Sequence, residues 1–263
     1  MGLVSWLDSR PGFHALVDRA RVRQIADGVL GLLAIERRLA PGDVIYRHRN
    51  IDSFITADEI FRRRTYHDFV RPEVRTFADL GCNVGYFIAV VTSITGRRDL
   101  RGVAVDASPI MTSESRWLVE RNGLHGVAVE QGLVEHAAAG VARDFYVSDC
   151  SMSSSTRPDA LRAGRALNWT RTTVATVDVE ALWLKHVGQE RCHLLKVDIE
   201  GSEADFISSG NPFLDRVDDI VLEWHTWAAS EATMRGRLES LGFSLCGELR
   251  LTPNTGLLYY RRR

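Results

Sequence analysis

From Thr76 onward the chain repeats one pattern: a short apolar run, a turn, then a helical stretch. The first instance constrains the fold most. Thr76-Phe77-Ala78-Asp79-Leu80 runs into Gly81-Cys82-Asn83-Val84-Gly85, and a helical run, Tyr86-Phe87-Ile88-Ala89-Val90-Val91, follows at once. Gly102-Val103-Ala104-Val105-Asp106 is a second strand, Met111 to Arg121 a second helix, and Val127-Ala128-Val129-Glu130-Gln131 a third strand. Later strands are His193 to Asp198 and Asp219 to Trp224. Strands that are apolar throughout, alternating with helices, predict an α/β fold with a parallel sheet covered on both faces. Phe243-Ser244-Leu245-Cys246 and Gly256 to Tyr260 are expected to add a C-terminal antiparallel hairpin at the sheet edge.

The first 70 or so residues are expected to be helical. Val22, Ile25, Ala26, Val29, Leu32 and Leu33 follow helical spacing, with Arg21, Arg23, Arg37 and Arg38 around them. Packing against a neighbouring domain is favoured over lying on a membrane. Ala40-Pro41-Gly42-Asp43 should end this helix, and Thr56 to Phe61 should form a second, short one. The division expected is a helical extension or cap over 1–70 and a larger domain over 71–263. With 263 residues, 45% of them hydrophobic, a core can form without disulfides or metals. Cys82, Cys150, Cys192 and Cys246 show no metal spacing and suit reduced thiols in the cytoplasm. The start of the chain lacks the pattern of a signal peptide, and no apolar stretch is long enough to insert in a membrane. A net charge of −1 argues against a broad electrostatic grip on nucleic acid. A homo-oligomer is compatible with the sequence, which sets no oligomeric state.

The chemistry begins at Asp79 to Gly85. Glycines at a strand-to-helix turn let a ligand approach the backbone, and the helix offers free N–H groups. Asn83 stands at the second glycine of a dinucleotide pattern, which disfavours a nicotinamide cofactor. Asp79 would repel a pyrophosphate but suits the ammonium of a methionine moiety. A glycine-rich turn alone is also compatible with no ligand. Asp106 closes the second strand about 25 residues after the first glycine, where a carboxylate accepts both hydroxyls of a ribose. Gln131, after the third strand, is placed to contact adenine.

Leu194-Leu195-Lys196-Val197-Asp198-Ile199-Glu200-Gly201-Ser202-Glu203 completes the pattern, and the chain now resembles the FkbM family of S-adenosylmethionine-dependent methyltransferases. The resemblance rests on Asp79, Gly81, Asn83 and Gly85 in the first motif and on Lys196, Asp198, Glu200, Gly201 and Glu203 in the second. It is extended by Asp106, Thr176-Val177-Asp178, Glu223-Trp224-His225, Glu59-Ile60-Phe61 and Tyr66. Two positions depart from the family: Cys82 replaces a small residue, and Asp106-Ala107-Ser108-Pro109 replaces a Glu-Pro. The likeness covers about residues 55 to 260. It implies a Rossmann-like class I methyltransferase with a mostly parallel seven-stranded sheet and S-adenosylmethionine as cofactor. Asp79, Gly81, Cys82, Asn83, Gly85, Asp106, Ala107, Ser108, Gln131 and Tyr66 are then the expected cofactor contacts. It also implies O-methylation of a small hydroxylated acceptor, a natural product or a sugar.

His225 and Asp198 fall at the carboxyl ends of adjacent strands, where such sheets bind ligands. His225 is expected to act as general base, with Asp198, Lys196 and Glu200 completing the catalytic set. Each has a plainer alternative: His225 can cap a strand, Lys196 and Glu200 can pair with each other, and Glu203 can cap its helix. No metal is expected. A competing reading has Asp198, Glu223 and His225 hold a divalent cation, and another has an inactive module that only binds the cofactor. The polar stretch Ser148 to Thr156, together with the helical N-terminal region, is expected to close over the site.

Overall fold

The computed structural model describes residues 22–135, 139–148, 154–156 and 169–263. Helix α1 (Val22–Leu33) leads into a hairpin, β1 (Ile35–Leu39) and β2 (Val44–His48), and then α2 (Ile51–Ala57). Alternation begins with β3 (Thr76–Leu80), α3 (Tyr86–Thr95), β4 (Arg101–Asp106), α4 (Pro109–Arg121) and β5 (Val127–Gln131). A small sheet follows, made of β6 (Leu133–Val134), β7 (Ala142–Ser148) and β8 (Trp169–Val177). The chain then returns to the main sheet through α5 (Val179–His186), β9 (Cys192–Val197), α6 (Glu203–Phe206) and β10 (Val217–His225). It ends with α7 (Glu231–Ser240), β11 (Phe243–Thr252) and β12 (Thr255–Arg262).

The main sheet has seven strands in the order β11-β12-β10-β9-β3-β4-β5. Strands β3, β4, β5, β9 and β10 are mutually parallel, and β12 runs antiparallel to both β10 and β11. The expected parallel sheet and C-terminal hairpin are therefore present. Side-chain alternation divides the core. Phe77, Leu194, Val221 and Leu257 belong to one buried cluster, whereas their neighbours Ala78, Leu195, Leu222 and Leu258 belong to the other. Strand neighbours point to opposite faces, so both faces must be covered. Helix α5 covers the second face through Trp183, which is fully buried and donates its indole N–H to Glu190 O at 2.9 Å. Burying a large apolar side chain contributes about 1.5–3 kcal/mol.

The order of strands creates the ligand site. The chain leaves β3 in one direction, through β4 and β5, and returns to the other side of β3 with β9. The crevice outside the carboxyl ends of the strands opens at such a reversal. Gly81 follows β3 there and Asp198 follows β9, and Asp198 N–H donates to Leu80 O at 3.0 Å.

The N-terminal segment differs from the helical expectation. Helix α1 stops at Leu33, and Ala34 has φ 43°. Arg37 and Arg38 lie in a hairpin in which Leu39 pairs with Val44 and Ile35 with His48. The physical reason is local: 40–43 is a tight turn between two short runs whose end residues, Leu39, Val44 and His48, are buried. A helix through this stretch would have to span that turn. Ile25, Val29, Leu32 and Leu33 are exposed rather than packed on a neighbouring domain. The short helix expected over Thr56 to Phe61 begins earlier, at Ile51, with Asn50 as its cap, and continues as a wider turn over Asp58–Arg62. Leu39, Val44, Ile60, Tyr66 and Phe69 share the core of the sheet's first face. Among the described residues no helix is long and apolar enough to cross a membrane.

Candidate active site

The turn after β3 is held by backbone geometry. Gly81 and Cys82 both donate their N–H to Val105 O, at 2.9 and 3.0 Å. Gly81 has φ +79°, and a Cβ on it would lie 1.7 Å from Asp198 O. No other residue fits so close a crossing of two strand ends. Gly85, at φ +84°, starts α3 with Ser115 against it, and Ser115 Oγ donates to Asn83 O at 2.6 Å. Asn83 itself holds a left-handed backbone, φ 47°. That strain is retained where its N–H meets a carboxylate: Asn83 N–H donates to Asp106 Oδ2 at 2.8 Å. Ser108 N–H donates to Asp106 Oδ1, also at 2.8 Å. Each carboxylate oxygen keeps a lone pair for a further donor. Burial pushes the Asp106 carboxyl up to about 6, against the opposing effect of those two N–H groups.

Asp106, Ala107 and Ser108 line a cavity of about 230 Å³ whose other walls include Gly81, Asn83, Leu133 and Phe145. A second cavity, of about 570 Å³, is lined by Glu59, Tyr66, Lys196, Glu223 and His225 among others. Gly81, Asn83, Asp198 and Glu200 line both. The two cavities thus meet at one partition, the ends of β3 and β9.

The second cavity gathers charges of both signs, Glu59, Asp198, Glu200 and Glu223 with Lys196, Arg63 and Arg250. Lys196 Nζ donates to Gly81 O at 2.8 Å and lies 3.2 Å from Asp79 Oδ1 and 3.5 Å from Asp198 Oδ2. Burial opposes charge on Lys196, but the Asp79 and Asp198 carboxylates outweigh it and raise its pKa. Asp79 is fully buried, and its pKa is raised by burial despite Lys196. Neither of its oxygens has a well-directed hydrogen bond, so the pairing with Lys196 is one of proximity. Glu200 and Glu223 have pKa values pushed well up, first by burial and then by Asp198, with Glu223 adding to the shift of Glu200 and Glu59 to that of Glu223. Glu59 is raised by the same causes. Tyr66 OH faces Glu223 Oε2 at 3.4 Å. His225 stands among these groups. Its Nε2 is 3.7 Å from Glu223 Oε1 and 4.0 Å from Glu200 Oε2, and its Nδ1 is 3.8 Å from Glu203 Oε1.

The structure brings most of the expected residues together but divides them differently. Gly81, Asn83, Asp106, Ala107 and Ser108 line the first cavity, and Gly85 lines neither. Tyr66 and Cys82 line the second instead. Asp79 lines neither and faces Lys196. Gln131 is exposed; its Nε2 donates to Ala107 O at 3.3 Å, and Gly132 and Leu133 form the cavity wall beside it. Asp178 caps α5 by accepting Ala181 N–H at 3.0 Å. Sequence reasoning missed Asp27, Asn50 and Asp52, which close the first cavity from the N-terminal segment. The signal available was Asn50 preceding an apolar run with Ser53 three residues on, a capping box that fixes where that segment turns. Of the polar stretch 148–156, residues 149–153 lie outside the described residues. Ser154 lines the first cavity, and buried Ser155 donates its Oγ to Glu200 O at 2.7 Å.

The first cavity fits a nucleoside bearing an amino-acid tail. It has a carboxylate with two free lone pairs for a ribose, apolar walls at Leu133 and Phe145, and a glycine turn that a Cβ would obstruct. The Methyltransferase FkbM domain matches residues 79–245. The chain belongs to the FkbM methyltransferases. A protein named Methyltransferase 1 from Beauveria bassiana (strain ARSEF 2860) is 26% identical over 202 residues, which is 72% of this chain and 80% of that protein. Among solved structures, the Methanococcus jannaschii fibrillarin pre-rRNA processing protein aligns with a TM-score of 0.47 and 13% identity, covering 86% of this chain and 82% of its own. M. capricolum TrmK, solved with S-adenosyl-homocysteine, aligns at 0.46 with 9% identity over 77% and 68%. At these values neither structure informs the acceptor. This FkbM methyltransferase uses S-adenosylmethionine as its methyl donor.

Proposed function

We propose that this methyltransferase acts on a hydroxyl oxygen of a small molecule, a natural product or a sugar, in the cytoplasm. One observation carries the reading: the cofactor cavity and a larger second cavity share a wall of Gly81, Asn83, Asp198 and Glu200, with His225 lining the second. A volume of about 570 Å³ is in the range of small-molecule pockets. The net charge of −1 disfavours nucleic acid as acceptor.

When bound, S-adenosylmethionine supplies an electrophilic methyl group. The chain's own residues do the rest. Asp106 accepts the ribose hydroxyls, and the bare backbone of Gly81 to Gly85 leaves room beside them. Lys196, tied to Gly81 O, Asp79 and Asp198, fixes the partition, so acceptor and donor meet in one geometry; such positioning supplies much of the rate. A hydroxyl must also lose its proton as it attacks, and His225 is the residue that activates it. In the simplest form a free imidazole takes the proton directly. Glu203 faces the other side of that ring at 3.8 Å, its carboxylate held by N–H bonds from Ile199 and Gly201.

The test is transfer of label from methyl-labelled S-adenosylmethionine to a panel of hydroxylated metabolites and glycosides. The expected product is a methyl ether. Label found only on amines, or on RNA offered in parallel, would contradict the reading.

A further inference from the structure

The surroundings of His225 ask for more positive charge than the described residues supply. Asp198, Glu200, Glu203 and Glu223 all approach the ring or one another, and Glu59 lines the same cavity. Lys196 is the one buried ammonium near them, and it is shared between Asp79 and Asp198. Arg63 and Arg250, which also line the cavity, pair with Asp58 and Glu231. Burying several carboxylates without a counter-charge is costly, and a bound cation removes that cost.

A second observation concerns His225 itself. The residue is 6% exposed, and its Nδ1 has no hydrogen-bond partner. A buried imidazole nitrogen normally has one. Here it faces Glu203 across 3.8 Å, too far for a hydrogen bond. One ligand atom each from Asp198, Glu203 and His225 lies within 4.8 Å of the other two. Two carboxylate oxygens and one imidazole nitrogen make a donor set that suits Mg²⁺, Mn²⁺ or Zn²⁺. The chain between them is built to hold that set. Glu200 takes a left-handed backbone, φ 51°, and Gly201 follows at φ 112°, which wraps residues 199–201 around the Glu203 carboxylate. Ile199 and Gly201 N–H groups then orient that carboxylate, as outer hydrogen bonds commonly orient metal ligands.

We propose that Asp198, Glu203 and His225 bind a divalent cation at the edge of the second cavity. The function it serves there rests on the reading above; its binding does not. A hydroxyl on such a cation loses its proton more readily. The O–H bond breaks, the electron pair stays on oxygen, and the proton passes to a cavity carboxylate, with Glu223 the nearest to His225 Nε2 at 3.7 Å. His225 then serves as ligand rather than as free base, which changes the part expected for it from sequence.

The experiment uses chelator-stripped full-length protein and Mn²⁺, with loss of the free-ion electron paramagnetic resonance signal as readout. One Mn²⁺ per chain is expected, with at least tenfold weaker binding in both Asp198→Asn and His225→Gln. Circular dichroism confirms that each variant is folded, and Glu203→Gln provides a third arm if either is not. No Mn²⁺ bound to wild type, or equal binding by all folded variants, overturns the proposal. Methyl transfer is measured separately. Full turnover in EDTA with no Mn²⁺ bound leaves the methyltransferase reading standing and removes the cation. Mn²⁺ bound at this site with no hydroxyl methylated in the panel keeps the cation and removes the reading.

Discussion

The two cavities share a wall yet are made of different material. The first joins a backbone cradle, the glycines of the β3–α3 turn and the N–H groups aimed at Asp106, to apolar side chains and the carboxylates of Asp27 and Asp52. The second is lined by ionisable side chains drawn from three distant segments, Glu59 to Tyr66, Lys196 to Glu200, and Glu223 to His225. A shape built from backbone recognises one constant ligand. A cluster of buried carboxyls whose pKa values are pushed up is a common setting for proton chemistry. On the proposed reading, binding of the donor and activation of the acceptor are separable, and substitutions should separate them.

The largest effect is expected at His225. Replacing it with alanine should lower turnover by about 10²–10⁴-fold, the usual contribution of proton-transfer catalysis, whether the ring takes the proton or holds the cation that loosens it. Steady-state kinetics at saturating donor measures this. Turnover within twofold of wild type would place the activating group elsewhere. Gly81→Ala comes next, because its Cβ would meet Asp198 O at 1.7 Å. The left-handed backbone alone costs about 1–3 kcal/mol, and the clash adds to it. A thermal melt should show a clear loss of stability, and an unchanged melting temperature would mean that the partition is softer than drawn.

A smaller effect should follow pH. The Asp106 carboxyl, raised to about 6, must be ionised to accept two hydroxyls, so S-adenosylhomocysteine affinity should fall as pH drops through 6. Stability moves the other way. The folded state holds this proton more tightly than the unfolded chain, where an aspartate titrates near about 3.9. The group's contribution to stability is present at low pH and is lost as pH rises through the folded value of about 6. Calorimetric titrations at several pH values, compared with Asp106→Asn, test the binding half; the same slope in the variant would assign it to another group.

The smallest effects separate residues that sequence grouped together. Tyr66→Phe should raise the acceptor KM by an amount equivalent to about 0.5–1.5 kcal/mol and leave donor affinity alone, since Tyr66 faces Glu223. Gln131→Ala should change donor affinity by no more than about 0.5 kcal/mol, because its amide serves Ala107 O and the side chain is exposed.

What could be read from sequence follows the same division. The strand–glycine–helix repeat is local, so the sheet, the turn and Asp106 could be located from spacing. The motif around Asp198 was likewise visible as a dense run of charge. What escaped was non-local. The N-terminal region is expected from sequence to close over the site, but nothing singles out Asp27, Asn50 or Asp52 as the residues that line the first cavity. Tyr66 and Gln131 could be assigned to a ligand but not to a side of the partition. Arg37 and Arg38 fit a helical spacing, and the turn at 40–43 marks a helix end as readily as the bend of a hairpin; only the pairing of Leu39 with Val44 decides it. Glu203 looked like a helix cap until its carboxylate was found turned to the 199–201 loop and to His225.

The central claim is the division of labour between the two cavities, and S-adenosylhomocysteine affinity in two variants tests it most directly. By isothermal calorimetry Asp106→Ala should lose the equivalent of about 1.5–3 kcal/mol, as expected for hydrogen bonds to a charged acceptor. His225→Ala should bind as wild type does while turning over little acceptor. Equal weakening in both variants would contradict the account, because it would make the two cavities one.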